Sequence, residues 1–373
     1  MKSEVYFTKF GASHFNDSIL KRLETLFDRA GAGSIIKQNE NVAVKAHFGE
    51  PGNVSFVSPV YYRAVIDRIK LCGGNPFVAD TNTLYVGERN NAIKHLNAAH
   101  RQGFGYSTLG APIVIADGLL GADFVEVPVE GKHFKKVKIG SAFYWADSMV
   151  VMTHVKGHMM AAVGGAIKNL SMGCGCRAGK QEMHSGNKPS VKEKECTACG
   201  ECVDWCNFKA ISLDSGKAAI DGEKCSGCGE CISVCRFDAI ASNWDTDLID
   251  MHEKMAEYAA GAVSNKKGKV FYLNFLINIT PECDCIPSSA GYLVPDIGIL
   301  GSFDPVAIDK ASEDLINQTP AIDYNLKPMA DYDRSFEKTD KFRMAHPEVK
   351  KNAQLEHAVK MGMGRAEYEL VEV

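Results

Sequence analysis

Along the first third of the chain, short apolar runs alternate with stretches whose apolar residues recur at helical spacing. "VAVKAHF" (42–48), "PFVAD" (76–80), "APIVIADG" (111–118) and "DSMVVM" (147–152) have the length and composition of buried strands. Between them, "SPVYYRAVIDRIKLCGG" (58–74) carries a full helix grammar. Ser58 can cap it, Pro59 suits the first position, Val60, Ala64, Val65 and Ile69 share one face, and Gly73 and Gly74 stop it. "NNAIKHLNAAHRQG" (90–103) reads as a second helix. The pattern resumes with helices over 247–261 and 304–318, the latter capped by Asp304, and a strand over 269–280. This alternation predicts an α/β fold, a mostly parallel sheet with flanking helices. In such sheets ligands gather at the carboxyl ends of strands, which directs attention to the loops 47–53, 80–83 and 153–158.

From 187 to 243 the periodicity breaks. The 373 residues exceed one comfortable core, and the expected organisation is an α/β domain interrupted by an insertion. Its first part is 1–186, the small inserted α+β domain is 187–243, and 244–373 holds the closing part and tail. The charged, tyrosine-rich tail from about 320 reads as a helical covering segment.

Composition sharpens this picture. A formal net charge of −4 argues against a protein that works by broad phosphate neutralisation, so no nucleic-acid partner is expected. No apolar run suits a signal peptide or a membrane span, and a cytoplasmic protein with no membrane partner is expected. Thirteen cysteines in a reducing compartment point to metal or redox chemistry rather than disulfides.

Eight of the thirteen fall in two copies of one cassette, "CTACGECVDWCNFKAI" (196–211) and "CSGCGECISVCRFDAI" (225–240), which share nine of sixteen positions. Each copy is C-x2-C-x2-C-x3-C. Three thiolates at that spacing wrap one face of an iron–sulfur cubane, and the fourth sits too far along to close the same cluster. In the bacterial two-cluster ferredoxin arrangement, which this segment resembles, the fourth cysteine ligates the other cluster, and the resemblance implies ligand sets that cross. Cys196, Cys199, Cys202 and Cys235 would hold one 4Fe–4S cluster, and Cys225, Cys228, Cys231 and Cys206 the other. Gly200 and Gly229 fit the tight loops, and the eighteen residues between Cys206 and Cys225 suffice for a short hairpin. Zinc, which takes one tetrahedral set of N and S ligands per ion, gives no reason for this rhythm. The segment closely resembles the bacterial two-cluster ferredoxin domain, with Asn207 and Arg236 in place of the usual proline after each fourth cysteine. A cation at Arg236 beside a cluster would raise its potential; an Arg236 turned to solvent would not.

"THVKGHMMAAVGGAIKNLSMGCGCRAGKQEMH" (153–184) is the second informative stretch. Small residues allow close backbone approach to a ligand, and histidines and lysines supply proton donors and anion contacts. His154, His158 and Lys168 are candidate catalytic residues, with Gly164 and Gly165 as cofactor-binding positions. A glycine-rich helix packed on the sheet is the structural alternative. In "HFGEPGN" (47–53), His47 is an acid/base or ligand candidate, and Gly49 and Gly52 give an anion-binding turn. Glu50 is either functional or solvated. Four further cysteines form two Cys-x-Cys pairs, Cys174 with Cys176 and Cys283 with Cys285. If both pairs meet at the carboxyl edge of the sheet, they make a candidate third metal site for zinc, iron or nickel. The alternatives are a redox dithiol or inert packing. Cys72, before Gly73 and Gly74, reads as packing.

"KGHMMAAVGGAIKNLSMGC", "HFGEPGN", "DTNT" and "CDC…PDIGILGSFDPVAIDKAS" together resemble a widespread prokaryotic family of uncharacterised iron–sulfur centre proteins. Many of its members carry a ferredoxin insertion at this place. The resemblance implies a protein of mostly anaerobic microbes. A fainter likeness runs to the nickel-pincer lactate racemases, whose H-x9-K segment has an acid/base histidine and a cofactor-binding lysine. His158, Gly164, Gly165 and Lys168 match it in character, with Ile167 where the racemases have arginine. Two function classes stand. One is an oxidoreductase whose clusters pass electrons to a pocket, serving a redox protein partner or a small-molecule substrate. The other is a non-catalytic electron carrier or assembly partner. Neither a Walker nor a GxGxxG sequence supports a nucleotide site.

Overall fold

Eight strands make the central sheet of the computed structural model, which describes residues 2–184, 188–214, 216–244, 247–322, 340–347, 349 and 353–373. They are β1 (Ser3–Lys9), β2 (Asn41–Lys45), β3 (Asn75–Asp80), β4 (Ile113–Ile115), β5 (Ser148–His154), β6 (Val270–Leu276), β7 (Gly298–Ser302) and β8 (Tyr368–Glu372). Their order across the sheet is β8-β1-β7-β6-β5-β2-β3-β4. All run the same way except β7, which is antiparallel to both neighbours. The mostly parallel α/β expectation holds. The opposed β7 is an addition, and the tail differs from the helical covering expected of it. It holds two short helices, Lys341–Ala345 and Ala353–Lys360, and ends as β8 paired with β1. Residues 323–339 lie outside the described part.

Side-chain alternation feeds two cores, one on each face of the sheet. Val42, Val44, Val150, Met152, Phe271, Leu273 and Phe275 point to the face covered by the helices Ile19–Arg29 and Pro59–Leu71. Ala43, Met149, Val151, Val270 and Tyr272 point to the other, covered by the helices Ala166–Cys174, Leu248–Val263 and Pro305–Gln318. Asp304 caps the last of these through the N–H groups of Val306 and Ala307. The chain leaves β2 towards β3 and β4 on one side, and passes from β5 to β6 on the other. The order reverses between β2 and β5, and that reversal opens a crevice at the carboxyl ends of those strands.

Between the helix Arg177–His184 and the helix Leu248–Val263 the chain makes a small cysteine-rich lobe. It contains an antiparallel hairpin, Ile211–Asp214 with Lys217–Ile220, and a short pairing of Ser190–Val191 with Ile240–Ala241. Its buried cluster includes Cys196, Cys202, Cys231 and Ile232, and one residue from the β3 loop, Leu84.

Candidate functional site

The ends of β2, β3 and β5 and the loop after β6 converge on a cavity of about 390 Å³. One wall is apolar, built from Met159, Met160, Met172, Met251, Met255 and Trp244. The opposite wall carries the charges. Lys45, fully buried, donates to Asp80 at 3.0 Å and Asn169 at 2.8 Å. Asp80 stays below the usual carboxylate range although burial works against it, because Lys45, His95, His47 and Arg89 surround it. Arg89 pairs with Glu50 at 2.8 Å and with Tyr85 Oη at 2.6 Å. Glu50 is therefore buried and bridged rather than solvated. Lys180 donates to Thr81 Oγ1 and the Gly175 carbonyl, at 2.5 and 2.7 Å, and burial lowers its pKa. Lys168 has a different partner: its Nζ lies 3.9 Å from Cys283 Sγ. Among the described residues neither Lys168 nor Lys180 has a carboxylate within salt-bridge distance.

A tight turn, Cys283-Asp284-Cys285, forms the floor at this point. Asp284 is fully buried and points inward, taking His154 Nδ1 at 2.8 Å and Lys156 Nζ at 3.2 Å. These two partners hold its carboxyl well below the usual range in spite of burial. With Asp284 anchored, the two thiols on either side face the cavity. His158 reaches them from the hairpin that pairs Lys156–His158 with Ala162–Gly164. Gly157 makes this approach feasible, since a Cβ there would sit 2.0 Å from the Pro281 carbonyl oxygen. One ring nitrogen of His158 and the sulfurs of Cys283 and Cys285 all lie within 4.8 Å of one another, a spacing that can hold a metal ion. The hydrogen bond from Cys285, with Lys168 and Lys156 close by, holds the Cys283 thiol well below its usual range and pushes Cys285 above it. Burial, Lys168 and His184 keep His158 well below the usual imidazole range.

Among the expected site residues, His47, His158, Gly164, Gly165 and Lys168 line the cavity. His154 does not. Both its ring nitrogens are used behind the wall, on Asp284 and on the Ile277 carbonyl at 2.9 Å. Gly49 and Gly52 also lie off the cavity. Both have positive φ, and a Cβ at Gly52 would meet the Pro287 carbonyl at 2.5 Å, so they shape a loop that packs on the chain after Cys285. The N–H groups of Ala166 and Ile167, at the start of the glycine-led helix, are taken by Asp309 at 2.6 and 3.0 Å. The four paired cysteines do not meet, which corrects the expected third site. Cys174 and Cys176 are fully buried, and burial pushes both thiols up to about 12. Cys174 packs in the core, and Cys176 follows Gly175, which is bridged to Ile139. Cys72 is packing, as expected: a Cβ on Gly33 would sit 2.8 Å from its sulfur. Sequence reasoning missed Arg89, Tyr85 and Trp244 as cavity residues, while His184, in the 153–184 stretch expected to build the pocket, does line it. His184 is buried on the wall with Nδ1 unpartnered among the described residues, and burial takes it down to about 4.

In the cysteine-rich lobe two further small cavities divide the eight cysteines. One is lined by Cys196, Cys199, Cys202 and Cys235, the other by Cys206, Cys225, Cys228 and Cys231. The backbone repeats every twenty-nine residues. Positive φ recurs at Ala198 and Gly227, at Gly200 and Gly229, and at Lys209 and Asp238. N–H groups of Ala210 and Ala239 point at the sulfurs of Cys206 and Cys235, both at 3.3 Å. Arg236 pairs with Glu201 at 3.0 Å, and Asn207 bonds Glu230 at 3.1 Å, so each residue after a fourth cysteine meets the other cassette. Arg236 thus faces solvent with its charge paired to Glu201 rather than standing as a lone cation. The lobe docks on the α/β part through Lys138–Glu230 at 2.9 Å, Asn90–Asp238 at 2.9 Å and close packing of Gly229 on Gln181. Leu84 belongs both to its buried cluster and to the large cavity's lining.

The family described as "Domain of unknown function (DUF362)" matches residues 42–314, a span holding all the cavity residues and both cassettes. The chain belongs to the DUF362 family. No curated protein matches it. Among solved structures, this DUF362 protein is similar to the lactate racemase apoprotein from Thermoanaerobacterium thermosaccharolyticum. The identity is 12%, the TM-score 0.36, and the match covers 73% of this chain and 50% of that one. It is also similar to a protein from Thermotoga maritima, at 10% identity and TM-score 0.36, over 71% of this chain and 52% of that one. The chain spans about half the length of each. Among the described residues no helix is long and apolar enough to cross a membrane.

Proposed function

We propose that this DUF362 protein binds two 4Fe–4S clusters in an inserted ferredoxin-like lobe, and that its large cavity is the site they serve. The observation that carries the reading is the division of the cysteines between two small cavities. Each takes three thiols from one cassette and the fourth from the other, as two cubanes require. Backbone N–H groups aimed at Cys196, Cys206 and Cys235 suit thiolate ligands of an anionic cluster. Zinc fits less well. Four thiolates on one zinc stand about 3.8 Å apart for a metal–sulfur bond of about 2.3 Å. Among the described residues, no three of these eight sulfurs lie within 4.8 Å of one another.

When bound, such clusters supply single electrons. The chain's own residues prepare the receiving side. Leu84 closes the space between lobe and cavity, and Arg177, beside Cys235, donates to the Thr83 carbonyl on the cavity wall at 3.0 Å. Lys168 and Lys180, without carboxylate partners, favour an anionic ligand, and the methionine wall favours one with an apolar body. We therefore read the ligand as a small organic anion, with a redox protein as the electron source. Anaerobic purification with iron, sulfide and zinc quantitation tests the reading. It expects about eight iron and eight sulfide per chain; stoichiometric zinc at the cassettes, or their oxidation to disulfides, would overturn it.

A further inference from the structure

The floor of the cavity holds a group whose chemistry the clusters alone do not explain. Cys283 and Cys285 flank an anchored aspartate and turn their sulfurs to the same space, within 4.8 Å of each other and of a His158 nitrogen. Such a trio can be a metal site or a dithiol, and the surroundings decide between them. His158 Nδ1 accepts the N–H groups of both Met160 and Ala161 at 3.1 Å. Its lone pair is thereby occupied, and in the neutral ring the proton then sits on Nε2, so no free lone pair remains for a metal. Two ammonium groups stand beside the sulfurs, Lys168 at 3.9 Å from Cys283, and Lys156 on the intervening Asp284. Positive charge there repels a metal cation and stabilises a thiolate.

We infer that Cys283 and Cys285 are a redox-active dithiol that stores an electron pair beside Lys168 and Lys156. In the oxidised state the two sulfurs share a covalent bond. Reduction breaks that bond with two electrons and one proton, leaving Cys283 as the thiolate next to Lys168 and Cys285 as the thiol that hydrogen-bonds it. The proton comes from solvent. The electrons come one at a time from an iron–sulfur donor, the class proposed above for the cassettes, and the inference rests on that reading for its electron source. A dithiol accepting two electrons turns one-electron delivery into the two-electron chemistry that most organic ligands need.

Two measurements on the intact, anaerobically purified protein test this. In the first, the protein is treated with diamide, then alkylated and mapped by mass spectrometry. The peptide spanning 283–285 should escape alkylation and be lighter by two hydrogens. Photoreduction with deazaflavin should make both cysteines alkylable again. In the second, a reductive titration, wild type should take up two electrons per chain more than Cys285→Ser. In the variant, every electron should appear in the paramagnetic cluster signal. Full alkylation of both cysteines after diamide, with iron still bound, would overturn the inference. So would a stoichiometric metal other than iron that is lost in Cys285→Ser. A disulfide that cycles in a protein lacking iron would uphold the dithiol and overturn the cluster reading, so the two failures are distinguishable.

Discussion

The cysteine-rich lobe and the large cavity are both assembled from thiols, lysines and glycines, yet they are encoded in opposite ways. In the lobe, three cysteines within seven residues line each small cavity, and the other cassette supplies the fourth. In the cavity, the groups that matter come from four strand ends spread over more than two hundred residues, and each is held by a buried partner. Sequence spacing specifies the first; tertiary geometry specifies the second.

The strongest way to break that comparison is to remove one crossing thiol. Cys235 belongs to the second cassette by sequence and to the first cavity by geometry. Cys235→Ala should cost about half of the iron, and the surviving paramagnetic signal should be that of the site lined by Cys225, Cys228 and Cys231. Loss of the signal from the second site instead would show uncrossed ligation. Next in size is the aspartate beneath the cavity. Asp284→Ala leaves His154 and Lys156 buried without their carboxylate, and should destabilise the α/β part by about 3–5 kcal/mol in anaerobic denaturant titration. Iron content before unfolding should stay unchanged.

Acid should also separate the regions. Burial holds His95 down to about 3 and His184 to about 4, against 6.5 unfolded. The unfolded chain therefore binds protons that the folded one refuses. Stability is fully present above pH 6.5 and falls as pH drops from there towards the folded values. Between pH 6.5 and 5 each of the two should cost about 2 kcal/mol, and replacing either with asparagine should flatten that slope. The described lobe, 188–243 apart from residue 215, contains no histidine, and its hydrogen-exchange protection should not follow this trend. Smallest is the exposed Arg236–Glu201 pair, where Arg236→Ala should change stability by less than about 1 kcal/mol.

What was legible in the sequence follows the same division. Strand and helix periodicity gave the parallel sheet and the crevice at its carboxyl edge, and the cassettes, read through their resemblance to two-cluster ferredoxins, gave the crossed grouping of cysteines that line the two small cavities. β7 escaped because "GILGS" is short and glycine-bracketed, with neither alternation nor a β-branched run. The Cys174 and Cys176 pair stayed open between metal site, redox dithiol and packing because adjacency in sequence does not fix direction. The helix ending at Cys174 puts that thiol in the core, and the bridge at Gly175 sends the chain to Lys138 rather than to Cys283. Arg89 carried one usable signal, its place in the loop after β3, but nothing local announces that it will bridge Glu50. Trp244 is brought to the cavity only by the way the lobe docks.

The account stands or falls on two cubanes caged by crossed cassettes. An anaerobic crystal, with anomalous data collected on both sides of the iron edge, tests it most directly. Two separate iron peaks are predicted, one among Cys196, Cys199, Cys202 and Cys235, and one among Cys225, Cys228, Cys231 and Cys206. Peaks that follow the zinc edge, or sulfur–sulfur bonds with no metal at those positions, would contradict it.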